Sequence, residues 1–148
     1  MSSGDIDTPI HTYHCLCTNL LFASTTAASA LPTRSNSLDS ALILPLPASP
    51  PKSEETTHYA ILLSTTVTAK LQVITKSDGF EKRWIQRCGR CKVVIAYQLD
   101  WTHWGTEAGE RHGRRHDVMF LLPGGFMDTK DMIVGKDMTQ EVRLGVET

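Results

Sequence analysis

The sequence predicts a mainly β protein: a small antiparallel β-fold built on a four-cysteine, zinc-ribbon-like site, with few helices and with loop insertions. Three observations predict it. Cysteine occurs only as two close pairs, Cys15/Cys17 in "YHCLCTNLLF" and Cys88/Cys91 in "RCGRCKVVIAYQ", each followed by β-type apolar residues. Apolar and polar residues alternate through the middle of the chain, which is the period of a half-buried strand. Helical spacing is not sustained over any long window.

Each element follows in order. Residues 11–15 and "LLFA" (20–23) are expected as strands flanking the first pair. "HYAILL" (58–63) is an apolar strand, and in "TTVTAKLQVIT" (65–75) Val67, Ala69, Leu71 and Val73 are predicted to share the core face. "SDG" (77–79) has the Asp-Gly signature of a tight hairpin turn. "FEKRWIQR" (80–87) returns into the second pair, and "KVVIAYQ" (92–98) leaves it as another strand. A polar loop with two tryptophans, "LDWTHWGTEAGERHGRRHD" (99–117), precedes "VMFLLPGGFMD" (118–128), a strand, a Pro-Gly-Gly turn and a strand. Residues 35–57, with Pro45, Pro47, Pro50 and Pro51 among serines, are expected to be a loop insertion. The remaining boundaries are a flexible N-terminus over 1–10, a domain over 11–133 and a polar tail over 134–148.

Without the insertion and the tail, about a hundred residues remain to build a core, a size at which a cross-link or a metal matters to stability. The 148-residue chain has a net charge of −1, but its charge is segregated. Residues 1–60 carry −3 and residues 76–116 carry +4. That suits a mildly basic surface and falls short of a dedicated nucleic-acid binder. The acidic start "MSSGDIDTPI" lacks the basic region of a signal peptide. No run reaches the ~18 apolar residues of a membrane helix. A cytoplasmic protein is therefore expected, in a compartment where paired cysteines bind metal more often than they form structural disulfides.

Strand, knuckle, strand, twice over, is the way a zinc ribbon is made: two sulfurs from each knuckle close a tetrahedron around structural Zn2+. Gly89 eases the second turn, whereas Cys-Leu-Cys is shorter than the usual knuckle. The competing readings are four unliganded thiols or a Cys-x-x-Cys redox pair. The redox pair is disfavoured because that chemistry favours a helix N-terminus after the motif, and here strands flank it. With all four positions filled by Cys15, Cys17, Cys88 and Cys91, no open site remains for water or substrate. His11 and His14 beside the first pair are expected in strand or surface roles. His112 and His116 are four apart, but Gly113 argues against the helix that would make them a metal pair. "RHGRRH" (111–116) is expected to be a solvated loop, and Trp101 and Trp104 to cover a sheet end. No Ser/His/Asp order, phosphate loop or paired-carboxylate pattern supports catalysis, and no small-molecule substrate is expected.

The ordered motifs His11-x-Tyr13-x-Cys15-x-Cys17, "LPTR" (31–34), "DGFEKRWIQRCGRC" (78–91), Tyr97-Gln98 and "LLPGGFMDTKDM" (121–132) resemble those of the STING ER exit protein (STEEP) family, in its fungal form. The resemblance covers residues 11–133. It implies a non-enzymatic adaptor that binds a membrane-protein client and promotes its exit from the endoplasmic reticulum towards the Golgi. Members are also linked to nuclear and spliceosomal fractions, so the alternative is a nuclear, RNA- or spliceosome-associated zinc-ribbon protein. In either case a protein partner is expected. The second knuckle is the expected contact face, with Arg87, Arg90 and Lys92 around the turn and Trp84 and Tyr97 on its two strands. Basic and aromatic groups together suit an acidic protein tail or anionic lipid headgroups at the endoplasmic reticulum surface.

Overall fold

Two antiparallel sheets each contribute one hairpin whose turn carries a cysteine pair. The structure is a computed structural model and describes residues 9–35, 39–48, 58–76 and 79–133. Its strands are β1 (His11–His14), β2 (Leu20–Ser24), β3 (Leu42–Pro45), β4 (Ala60–Leu62), β5 (Thr65–Val67), β6 (Gln72–Lys76), β7 (Gly79–Cys88), β8 (Val94–Leu99), β9 (Val118–Leu121) and β10 (Met127–Asp128). One sheet runs β10-β1-β2-β4; the other runs β3-β9-β8-β7-β5, with β6 also on β7. The first pair lies in the β1–β2 turn and the second in the β7–β8 turn. The mainly β, antiparallel architecture is the one the sequence predicts.

The core fills the space between these hairpins. Tyr13, Leu21 and Phe22 from the first sheet pack with Leu44, Ile95, Met119 and Leu121 from the second, and Cys15 and Cys88 belong to the same cluster. Tyr13 stacks on Phe22 at 4.7 Å, and Phe126 closes edge-on against both rings. A smaller cluster of Ala41, Tyr97, Leu99 and Phe120 lies beside it, covered by Trp104 and Ile85.

Three expectations are corrected here. The Pro/Ser-rich span 35–57 contains a strand: Leu42–Pro45 pairs with β9 and buries Leu44 completely. Pro45 is accommodated because β3 is the outermost strand of its sheet, where a missing N–H costs no ladder bond. The single strand expected over 65–75 is two, both on β7, with Thr68 N–H donating to Ile85 O before the ladder breaks. The break changes which face each residue presents, so Val67 and Val73 are exposed and Leu71 and Ile74 are half-buried. The expected strand, Pro-Gly-Gly turn and strand over 118–128 are present, and the second of these strands crosses to the other sheet, with Tyr13 opposite Asp128. The polar 99–117 loop includes short 3-10 turns over Trp101–Ala108, started by Asp100, whose side chain accepts from Thr102 N at 2.9 Å. The Ser77-Asp78 turn, residues 1–8 and the tail over 134–148 lie outside the described residues, although Lys76 opposite Gly79 leaves two residues to connect β6 to β7.

A buried polar network fastens the second sheet to the chain from the Leu-Pro-Thr-Arg motif. Arg34, 6% exposed, forks onto Glu81 and donates to the Tyr97 hydroxyl at 2.7 Å. The Tyr97 hydroxyl donates to Asp39 at 2.9 Å, and Arg83 adds a 2.6 Å bond to Glu81 while its guanidinium lies 4.0 Å above the Tyr97 ring. Burial alone would push the Glu81 carboxyl up; the hydrogen bonds and charges of Arg34 and Arg83 overcome it and hold the group at about 2. A carboxyl held below its unfolded value stabilises the fold above that value and loses the contribution as pH falls towards its folded value. Wild-type melting temperature is therefore expected to drop between pH 4.5 and about 2 relative to a Glu81→Gln variant, whose curve is flatter there. At pH 7, Glu81→Gln leaves the buried Arg34 guanidinium without its anion and is expected to cost about 3–5 kcal/mol by chemical denaturation. Equal pH dependence in the two proteins would remove Glu81 from this role.

Candidate metal centre

The two knuckles are shaped alike despite their different spacing. In the first, Cys15 N–H donates to Asn19 O at 2.8 Å and Thr18 N–H to Cys15 O at 2.7 Å. In the second, Cys88 N–H donates to Val93 O at 2.9 Å and Lys92 N–H to Cys88 O at 3.0 Å. Each turn ends on a left-handed residue directly after its second cysteine, Thr18 at φ 76° and Lys92 at φ 68°. Gly89 does not supply the left-handed step. Its N–H instead meets Ser64 O at 2.8 Å, and a Cβ there would sit 2.8 Å from the same oxygen. The glycine is thus required by the approach of the β4–β5 connection, not by turn conformation.

All four sulfurs converge. Cys15 Sγ lies 3.4 Å from Cys91 Sγ, Cys17 Sγ lies 3.6 Å from Cys88 Sγ, and all four lie within 4.8 Å of one another. A tetrahedron with metal–sulfur bonds of about 2.3 Å needs sulfurs about 3.8 Å apart, so the set can hold one metal ion. Among the described residues it is the one group of three or more such side chains close enough to share an ion. Surrounding donors favour thiolates. Cys88 Sγ accepts from Arg90 N–H at 3.4 Å and from the Asn19 amide at 3.3 Å. Burial raises the Cys88 thiol, but N–H groups of Cys91 and Arg90 and the Asn19 amide outweigh it, lowering the group to about 6. The Asn19 backbone N–H lowers Cys17. Burial pushes Cys15 up to about 12, a penalty on its anion that a divalent cation at the cluster would offset.

The expected histidines stand apart. His14 donates through Nδ1 to Thr18 O at 3.2 Å and bonds Thr129 through Nε2 at 2.9 Å, bracing the first knuckle from outside. His112 and His116 are exposed.

The contact face expected at the second knuckle is corrected at Tyr97, which does not share a face with Trp84. Register places Trp84 opposite Gln98 and Ile85 opposite Tyr97, so Trp84 and Tyr97 point to opposite sides of the sheet. Tyr97 is 1% exposed and committed to the Arg34 network. Arg90 reaches the other knuckle, donating to Cys17 O and to Thr18 Oγ1 at 3.0 Å, and Arg87 donates to Lys92 O at 2.9 Å. "RHGRRH" is packed only in part: Arg111 and Arg115 lie 3.8 and 4.4 Å over Trp101 and Arg114 donates to buried Gln98 at 2.6 Å, while Arg111, His112 and His116 remain exposed. Asn19 and Ser64, which brace the sulfurs and Gly89, were not singled out from the sequence. Asn19 had a signal in its position two residues after Cys17; Ser64 had none.

Cys88→Ser is expected to abolish stoichiometric metal binding, measured by elemental analysis, and with it cooperative unfolding. Gly89→Ala, which must displace Ser64 or the knuckle, is expected to cost roughly 1–3 kcal/mol. His112→Ala should leave metal content unchanged and stability within about 0.5 kcal/mol.

These features sit within a stretch that matches a known family. No curated protein matches the chain. The model of the STEEP1 domain matches residues 4–136, which include both knuckles, the Leu-Pro-Thr-Arg motif and β10. Over nearly its whole length, then, the chain belongs to the STEEP family.

Proposed function

We propose that this protein is a non-enzymatic, zinc-stabilised adaptor that acts at the cytoplasmic surface of the endoplasmic reticulum and promotes exit of a membrane-protein client towards the Golgi. Its membership of the STEEP family over residues 4–136 carries the reading. Zinc is the ion of choice because four thiolates in a tetrahedral set are its characteristic structural environment. Cys15, Cys17, Cys88 and Cys91 would hold it, and structural zinc can contribute on the order of 10 kcal/mol to folding of a small module. A closed thiolate set supplies no position for substrate, so the ion shapes a surface rather than performing chemistry.

The surface it shapes is apolar and basic. Leu16 and Val93, in and beside the knuckles, are 68% and 47% exposed. Arg87, Arg90 and Lys92 surround them, and residues 9–35, 58–76 and 82–99 contain no acidic side chain. Such a face fits an acidic client tail beside anionic headgroups. The RNA-associated alternative has less support, because Arg83, Arg114 and Arg115 are half-buried and bonded within the fold, which leaves only a small basic surface for a phosphate backbone.

Replacing Leu16 by Ser together with Lys92 by Glu tests the reading while sparing the ligands and the Arg90 clamp. Zinc content and melting temperature should stay at wild-type values. Recovery of endoplasmic reticulum membrane proteins by affinity purification from the protein's own cells should fall about tenfold or more, the size expected for a lost interfacial anchor and cation. If wild-type protein recovers no such client, and instead binds RNA with an affinity that falls steeply with salt, the adaptor reading is replaced by the nuclear one.

A further inference from the structure

Four cysteine sulfurs held together for a metal are also two potential disulfides, and their arrangement here selects one pairing and one point of entry. Two close separations run between the knuckles, Cys15 to Cys91 at 3.4 Å and Cys17 to Cys88 at 3.6 Å. A disulfide bond is about 2.05 Å long, so either pair closes by roughly 1.5 Å. The four cysteine residues also differ in exposure. Cys15 and Cys88 are buried, Cys17 is half-buried, and Cys91 is exposed. Cys88 Sγ is further occupied by the Arg90 N–H and the Asn19 amide.

We propose that Cys91 is an oxidation site for hydroperoxides and that it hands its oxidised sulfur to Cys15, converting the metal centre into two cross-knuckle disulfides, Cys15–Cys91 and Cys17–Cys88. The chemistry balances as two two-electron oxidations, each in two steps. The Cys91 thiolate attacks one oxygen of hydrogen peroxide; the O–O bond breaks, a sulfenic acid forms, and the departing hydroxide takes a proton and leaves as water. The Cys15 thiolate attacks the Cys91 sulfur; the S–S bond forms as the S–O bond breaks, and the second hydroxide leaves as water with another proton. Loss of two thiolates opens the coordination set, and a second peroxide oxidises Cys17 and Cys88 in the same way. Four thiolates, two peroxides and four protons become two disulfides and four waters, and the ion is released.

The fold survives this change because the same positions remain tied. Each new bond links residues 76 or 71 apart, across the two sheets, as the metal does. Pairing inside the knuckles, Cys15 with Cys17 and Cys88 with Cys91, would instead leave the sheets unlinked. The site would thus exchange its ion for covalent staples under oxidation without unfolding.

The inference rests on the zinc reading above, and the test separates the two. Zinc-loaded, full-length protein is titrated with hydrogen peroxide while released zinc is followed with a chromogenic chelator and strand content by circular dichroism. Sulfenic acids are trapped with dimedone, and disulfides are mapped by mass spectrometry without reduction. The expected result is one zinc released per two peroxides, first dimedone labelling at Cys91, Cys15–Cys91 and Cys17–Cys88 cross-links, retained strand signal, and zinc uptake restored by a dithiol. Zinc retained in excess peroxide, first labelling at another cysteine, or cross-links within the knuckles would overturn it. Protein that contains no zinc when purified without chelator would overturn the zinc reading and the release step with it, while the cross-link map would still decide the pairing.

Discussion

The joint between two sheets at four sulfurs is the constraint on which the rest of the molecule depends. Each sheet alone is thin: the first has four short strands and the second presents only one side of its cluster to them. Cys15 from the β1–β2 turn and Cys88 from the end of β7 are buried in the same core cluster as Tyr13, Phe22, Ile95 and Met119. Linking residues more than 70 positions apart removes much of the entropy that a small, loop-rich chain retains when unfolded. The knuckles themselves are braced through backbone contacts, Gly89 on Ser64 and Arg90 on Cys17, so the ligand geometry is supported from both sheets.

A second fastening is electrostatic and works at the other side of β8. Tyr97 carries it: its ring lies beneath Arg83, stacks on Phe120 at 5.4 Å, and its hydroxyl joins Arg34 to Asp39. Burying these charges is tolerated because the guanidinium fork of Arg34 and the Nε of Arg83 satisfy both oxygens of Glu81. Next to it, Trp104 extends the stack and Arg115 lies 4.4 Å over that ring. Much of the positive charge of residues 76–116 is therefore internal to the fold. Exposed Arg90 and Lys92 remain at the knuckles, where exposed Leu16 and Val93 accompany them.

Much of this was legible in the sequence. Two cysteine pairs, flanked by period-2 apolar runs, determined a β-rich fold with a four-sulfur site, because strand alternation and short ligand spacing are local properties of the chain. The ordered motifs also determined the family. Tertiary structure alone decided the rest. Tyr97 reads as a strand aromatic near a knuckle, and only the Ile85–Tyr97 register turns it inward and separates it from Trp84. Leu42–Pro45 sits in a proline- and serine-rich stretch and becomes a strand only because β9 offers an edge. Val67 and Val73 follow an alternating pattern but lose their expected face to a break in a ladder. Gly89 is required by Ser64, which is 25 residues away, and Arg34 finds its carboxylate 47 residues away at Glu81. Local pattern specifies which residues can form an element or ligate an ion; burial, register and distant backbone specify which side they face and what they meet.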